Sequence, residues 1–137
     1  MRTIKFRGFT TGYSKKDNDW VYGFLSARGL IQHNTVFNII VDYEIDENSI
    51  GQFTGLYDKN GTEIYEGDIL AHDYGGYSLI VYREECMAFC RIDAKDVGNI
   101  NGYYNLHEEA WRSCLQRAKV IGNQYENPEL LNYKEED

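Results

Sequence analysis

Proline occurs once in this chain of 137 residues and cysteine three times. No run approaches the roughly 18 apolar residues that a membrane-spanning helix needs. The single proline excludes proline-rich linkers, and the missing apolar run excludes a helical anchor. Met1 to Phe9 alternates charge with apolar side chains, which is not the pattern of a signal peptide, so a cytoplasmic protein is expected. The odd set Cys86, Cys90 and Cys114 is then expected as reduced, half-buried thiols rather than a disulfide framework. Basic residues are also scarce: 14 against 22 acidic ones, a formal net charge of -8, with Lys15-Lys16 as the one adjacent basic pair. Duplex nucleic acid, whose binding depends on Lys and Arg displacing counterions, is disfavoured as a partner.

What the chain does have is aromatic and turn residues. Hydrophobic residues make up 42%, with 12 Tyr, 6 Phe and 13 Gly, enough apolar area for one core and many tight turns. A single domain over 1–137 is predicted, with an N-terminal β region at 1–50 and a second region at 51–137. Arg2 to Phe9 alternates, setting Ile4 and Phe6 on one face of a strand, and Trp20 to Leu25 returns as its hairpin partner after a turn-rich stretch from Gly12 to Asp19. Leu30-Ile31, Val36-Phe37 and Asn38 to Tyr43 read as short strands, followed by an acidic connection over Asp42 to Asn48.

Gly51 to Leu70 is the most structured reading in the sequence. Asp58-Lys59-Asn60-Gly61 forms a turn in which Asn60 and Gly61 can take positive φ, and Ile64 and Ile69 flank a second turn at Glu66-Gly67-Asp68. Tyr77 to Tyr82 and Met87 to Ile92 form a hairpin around Arg83-Glu84-Glu85, and a strand ends near Asn105. From 107 to 118 the period changes: Ala110, Trp111, Cys114, Leu115 and Ala118 fall at helical spacing, predicting an amphipathic helix whose Trp111 face caps the sheet. Lys119 to Asn123 is a last strand, Asn127-Pro128 opens a short terminal turn, and Lys134 to Asp137 reads as a solvated tail.

Four blocks in series resemble the YopX family of small phage and prophage proteins: Arg2 to Arg7, Gly51 to Leu56, Asp58 to Ile69, and Val120 to Asn123 with Tyr125 to Leu131. Ala71 to Ala118 departs from the pattern. The resemblance implies a mainly β fold with one or two short helices. Its second half would form a small barrel of the Src-homology-three type, and the protein would self-associate in the cytoplasm of a bacterial host. No catalytic residue and no cofactor carries over, because the recurring positions are turn glycines, a turn asparagine, a capping proline and core aliphatics.

The residues themselves offer little chemistry. Cys86 and Cys90 with His72 and Cys114 are a conceivable zinc set, but structural zinc favours paired short spacings, and the two cysteines share strand parity and would pack on one sheet face. Asp68 and His72, with Asp73, would lie on one strand face as an acid-base cluster, yet an Asp after a turn glycine more commonly fixes its turn. His33 and His107 are isolated, and Gly75-Gly76 lacks the ending of a phosphate loop. Phe53, Tyr57, Tyr65, Tyr74, Tyr77 and Tyr82 invite comparison with a stacking platform, but such platforms come with basic residues. No catalytic, metal or cofactor site is therefore expected. The function expected is that of a non-enzymatic, self-associating binding or structural module. The alternative is an acidic charge mimic that occupies a basic site on a host nucleic-acid enzyme.

Overall fold

The computed structural model describes residues 3–11, 19–34 and 37–132. The expected loop over 12–18, the Lys15-Lys16 pair, Val36 and the tail at 134–137 lie outside them. The fold is mainly β, with two antiparallel sheets and one helix. Two compact units divide the chain, Met1–Phe53 and Thr54–Asp137, and the division falls inside a single strand.

In the first unit the strands are β1 (Phe6–Phe9), β2 (Trp20–Ala27), β3 (Leu30–Asn34), β4 (Ile40–Glu44) and the start of β5 (Gly51–Tyr57). Their order is β4-β3-β2-β1-β5, antiparallel throughout, which makes β4 an edge. The alternation places Val21 and Ile31 inward, where they meet Ile45, Phe6, Tyr43 and Ile50. Ile4, expected beside Phe6, is half exposed (48%), because the strand begins only at Phe6. The acidic connection is shorter than expected: Asp42 to Glu44 are strand, and Asp46 caps a 3-10 turn at Glu47–Ser49 by accepting from the Asn48 amide.

The second unit continues with the end of β5, then β6 (Glu63–Tyr65), β7 (Asp68–Ala71), β8 (Tyr77–Arg83), β9 (Ala88–Asp93), β10 (Tyr103–Asn105) and β11 (Lys119–Asn123). The last five are ordered β10-β9-β8-β7-β11, so the final strand returns beside the first. That return is what the small barrel requires, although no ladder joins the edges β10 and β11 among the described residues. Both faces of this sheet are covered. Leu70 and Ile80 point to one core with Ile64, Leu106, Leu115 and Trp111, while Ile69, Leu79 and Ile92 point to the other with Leu130 and Leu131.

Turn chemistry explains the corners. Gly61 takes φ 77°, whereas Asn60 does not take positive φ; its amide is held instead by the Asp58 carboxylate at 2.8 Å. The second turn falls where it is expected and is a corner between ladders: β6 lies beside β5 and β7 beside β8, with Gly67 (φ 93°) between them. The helix α1 (Glu109–Leu115) is shorter than the 107–118 expected. The amides of Arg117 and Ala118 bond three residues back, to Cys114 and Leu115, so a tighter turn carries the period on to Ala118. Trp111, Leu115 and Ala118 pack on the sheet as expected, but Ala110 is exposed.

Candidate functional site

The chemistry in the second unit gathers at one end of the face that α1 covers. β7 delivers His72 just past its last residue, β8 delivers Ser78, and β9 delivers Arg91 and Asp93, because Ser78 lies opposite Asp93 and Ile80 opposite Arg91 in the ladder. Ser78 is wholly buried, His72 is 8% exposed and Arg91 4%. The Ser78 hydroxyl donates to His72 Nε2 at 2.5 Å, and Arg91 Nη1 lies 3.1 Å from the same nitrogen. A guanidinium has only donors, so Nε2 must offer its lone pair, and the ring is the neutral Nδ1–H tautomer. Burial, and then the Arg91 charge, hold His72 below its ordinary 6.5, against the opposing pull of Asp93 and Asp73.

Arg91 is the hub. Nη1 also donates to the Tyr74 hydroxyl at 3.1 Å and lies 3.6 Å from Asp93 Oδ1, while the guanidinium carbon sits 4.9 Å from the Tyr104 ring centre. Its buried Nε has no hydrogen-bond partner among the described residues. Tyr74 stacks on His72, ring centres 4.9 Å apart and 10° from parallel, and remains 64% exposed. In front of the cluster is a cavity of about 290 Å³, lined by His72, Tyr74, Gly75, Gly76, Tyr77, Asp93, Ala94 and Lys95. The arrangement resembles a Ser–His–Asp constellation only in composition. Asp93 pairs with Arg91, and the Ser78 oxygen has no exposed surface from which to attack. Chemically it is a polar, hydrogen-bonding floor under an exposed aromatic ring.

The residues singled out from sequence are dispersed. Asp68 does not meet His72; its Oδ2 accepts from the Tyr65 amide at 2.7 Å and fixes the Gly67 corner, as an Asp after a turn glycine should. Cys86 and Cys90 do come together, with their sulfurs 3.9 Å apart, but not as two residues on one strand face: Cys86 lies in the β8–β9 turn, exposed, and Cys90 lies in β9, fully buried. Cys114 is elsewhere, 3.8 Å from Arg117 Nη2. The four residues weighed as a zinc set are thus in three places, and among the described residues no three His, Cys, Asp or Glu side chains converge on a common point. His33 Nδ1 is 2.9 Å from the Tyr22 carbonyl, and His107 is exposed.

The aromatic residues form no single platform either. Phe53 and Tyr65 are buried, while Tyr82 meets Phe89 edge-on at 5.3 Å. An aromatic row stands instead in the first unit, where period two sets Trp20, Tyr22 and Phe24 on one face of β2. Arg7 stacks on Trp20 at 4.8 Å, and Phe9 meets it edge-on at 5.4 Å. Ile40 on β4 shares this face, because it lies opposite Asn34 two positions from the Gln32 that opposes Phe24. Sequence reading missed both Arg91 and this row. A lone arginine between Cys90 and Ile92 in an apolar strand was the available signal for the first, and the alternation of Trp20 to Phe24 for the second.

A mainly antiparallel β chain with a doubly covered sheet and tight Asp-Gly corners is the class of protein so defined. The chain belongs to the YopX family: the model described as YopX protein matches residues 5–132. Among solved structures it is similar to the crystal structure of protein EF1440 from Enterococcus faecalis, with 22% identity, a TM-score of 0.48, and coverage of 96% of this chain and 99% of that one. No curated protein matches.

Proposed function

We propose that this is a non-enzymatic binding protein of phage or prophage origin, working in the cytoplasm of the host cell and self-associating through the edge strand β4 and the outer face of the first unit's sheet. The observation that carries the reading is the exposure there of large apolar side chains. Tyr22 and Phe24 on the outer face and Ile40 on β4 are exposed, Phe24 at 63% and Ile40 at 62%, and Phe37 and Ile39, just before β4, are exposed too. Aromatic and aliphatic exposure beside an edge strand favours pairing with a second copy. Asp42 and Glu44 share the outer face of β4 with Ile40, while Val41 and Tyr43 turn the other way, so two copies meeting at this edge bring like charges together.

Light scattering after size exclusion, at low and high salt, tests the reading. A defined multimer is expected, tightening as salt screens Asp42 and Glu44, with Ile40→Lys shifting it to monomer. A monomer for the unaltered chain at tens of micromolar refutes self-association. The net charge of -8 favours the second reading, occupation of a basic site on a host nucleic-acid enzyme. That complex would weaken as salt rises, the opposite dependence.

A further inference from the structure

Cys86 and Cys90 have no part in the binding reading, yet the fold holds them as a pair. Their sulfurs are 3.9 Å apart, and both lie within hydrogen-bonding distance of Asn105 Oδ1, 3.5 Å for Cys86 and 3.0 Å for Cys90. Three elements converge to do this. Arg83 and Ala88 close the β8–β9 hairpin, Met87 takes the left-handed backbone (φ 49°) in its turn, and β10 places Asn105 opposite Cys90. The members of the pair differ in access: Cys86 is exposed and Cys90 has no exposed surface. Cys114 is the third thiol, and none of its contacts is with either of them.

We propose that Cys86 and Cys90 form a thiol oxidation site that closes to an intramolecular disulfide when the protein meets hydrogen peroxide. The exposed Cys86 sulfur attacks the peroxide oxygen, giving a sulfenic acid and water. The Cys90 sulfur then attacks Cys86 sulfur: the S–S bond forms, the S–O bond breaks, and the departing hydroxide leaves as water with the Cys90 proton. Two thiols are oxidised and one peroxide is reduced to two waters. The sulfurs need to approach from 3.9 Å to about 2.05 Å, and Cys86 sits in a turn rather than in a ladder. Burial, and then the hydrogen bond with Cys86, push the Cys90 thiol up to about 12, so it resists bulk oxidant itself. Closure removes both thiol protons from beside Asn105 Oδ1, next to the Leu106 N–H bond to Phe89, which gives the event a structural readout at the end of β10.

The test is a peptide map of the full chain after hydrogen peroxide, alkylation of remaining thiols and tryptic digestion. Glu84–Arg91 carries both cysteines, and its disulfide form is two hydrogens lighter than the dithiol, distinguishable from the added oxygen of an oxidised Met87. Two of the three thiols should disappear together, Cys114 should remain alkylatable, and dithiothreitol should restore both. Cys90→Ser should accumulate a Cys86 sulfenic acid that a 1,3-diketone traps, and Cys86→Ser should leave Cys90 reduced. Cys86 passing to sulfinic acid while Cys90 stays alkylatable overturns the proposal, as does a link to Cys114 or to a second molecule.

Discussion

Replacing Asp58 should unfasten the second unit more than any other exposed-loop change. Its carboxylate is 6% exposed and accepts three backbone amides: Asn60 at 2.8 Å and Thr62 at 2.9 Å on Oδ1, and Val120 at 3.0 Å on Oδ2. The last bond ties the turn to β11, 62 residues away, and the Lys59 amide reinforces it by donating to the Ala118 carbonyl at 3.0 Å. In Asp58→Ala the exposed Asn60 and Thr62 amides turn to water, at about 0.5–1.5 kcal/mol each, while the half-buried Val120 amide is stranded at about 1–3 kcal/mol. The loss of roughly 4 kcal/mol is a large share of a domain stability of about 5–15 kcal/mol. Asp58→Asn keeps the Oδ1 acceptor but turns an NH2 toward the Val120 amide, so roughly half that loss is expected. Urea unfolding followed by tryptophan fluorescence reads both, since Trp111 lies in the same core.

Acid supplies a second arm. Burial alone would raise the Asp58 carboxyl, but the bonds from Val120, Thr62 and Asn60 outweigh it and hold the folded value below the ordinary 3.8. A carboxyl lowered by folding binds more protons when unfolded, so its contribution is whole above 3.8 and fades as pH falls through the lower folded value. The unaltered chain should therefore lose stability more steeply than Asp58→Asn on acidification in that window. An alanine variant costing under about 1 kcal/mol, or parallel acid dependences, refutes the account.

Two further outcomes are expected. Arg91→Gln removes the positive charge beside His72, so the imidazole should titrate higher than in the unaltered protein while burial still keeps it below 6.5; NMR titration of the ring protons checks this, and a fall or no change contradicts the hub role of Arg91. Gly122→Ala places a Cβ 2.5 Å from Asn127 Oδ1, so thermal unfolding should show a loss of about 1–3 kcal/mol, smaller in combination with Asn127→Gly than the two single losses together.

The fold was legible where one residue decides one local geometry. The alternation of Trp20 to Leu25, the apolar pair Ile64 and Ile69 about Gly67, and Asn127-Pro128 each led to the observed element, the last being a 3-10 turn over Pro128–Asn132. Errors arose where a local pattern serves two backbones. Ala118 continues the period of α1, yet the chain reaches it through bonds three residues back, which the spacing cannot distinguish from a longer helix. Asn60 is compatible with positive φ, but an acceptor two residues earlier makes that conformation unnecessary. Glu66-Gly67-Asp68 is legible as a turn, and only the strand order adds that it turns a corner between ladders.

The sites were less legible because they depend on register. Asp68 and His72 share strand parity, but β7 ends at Ala71 and the corner claims the carboxylate, so the acid-base pair does not form and the turn-fixing reading of Asp68 holds. Arg91 acquires its meaning only when β8 brings Ser78 and β7 brings His72 to the same end of one face, three segments that no single window contains. The same holds for the cysteines. Parity put Cys86 and Cys90 on one face as packing residues, and that inference failed at a single step, since the hairpin closes at Arg83 and Ala88 and leaves Cys86 in the turn. Moving one sulfur from the ladder to the turn is what makes it accessible while its partner stays buried within 3.9 Å. Two cysteines packed side by side in a core would be inert filling, whereas one outside and one inside is the asymmetry that stepwise oxidation and resolution require.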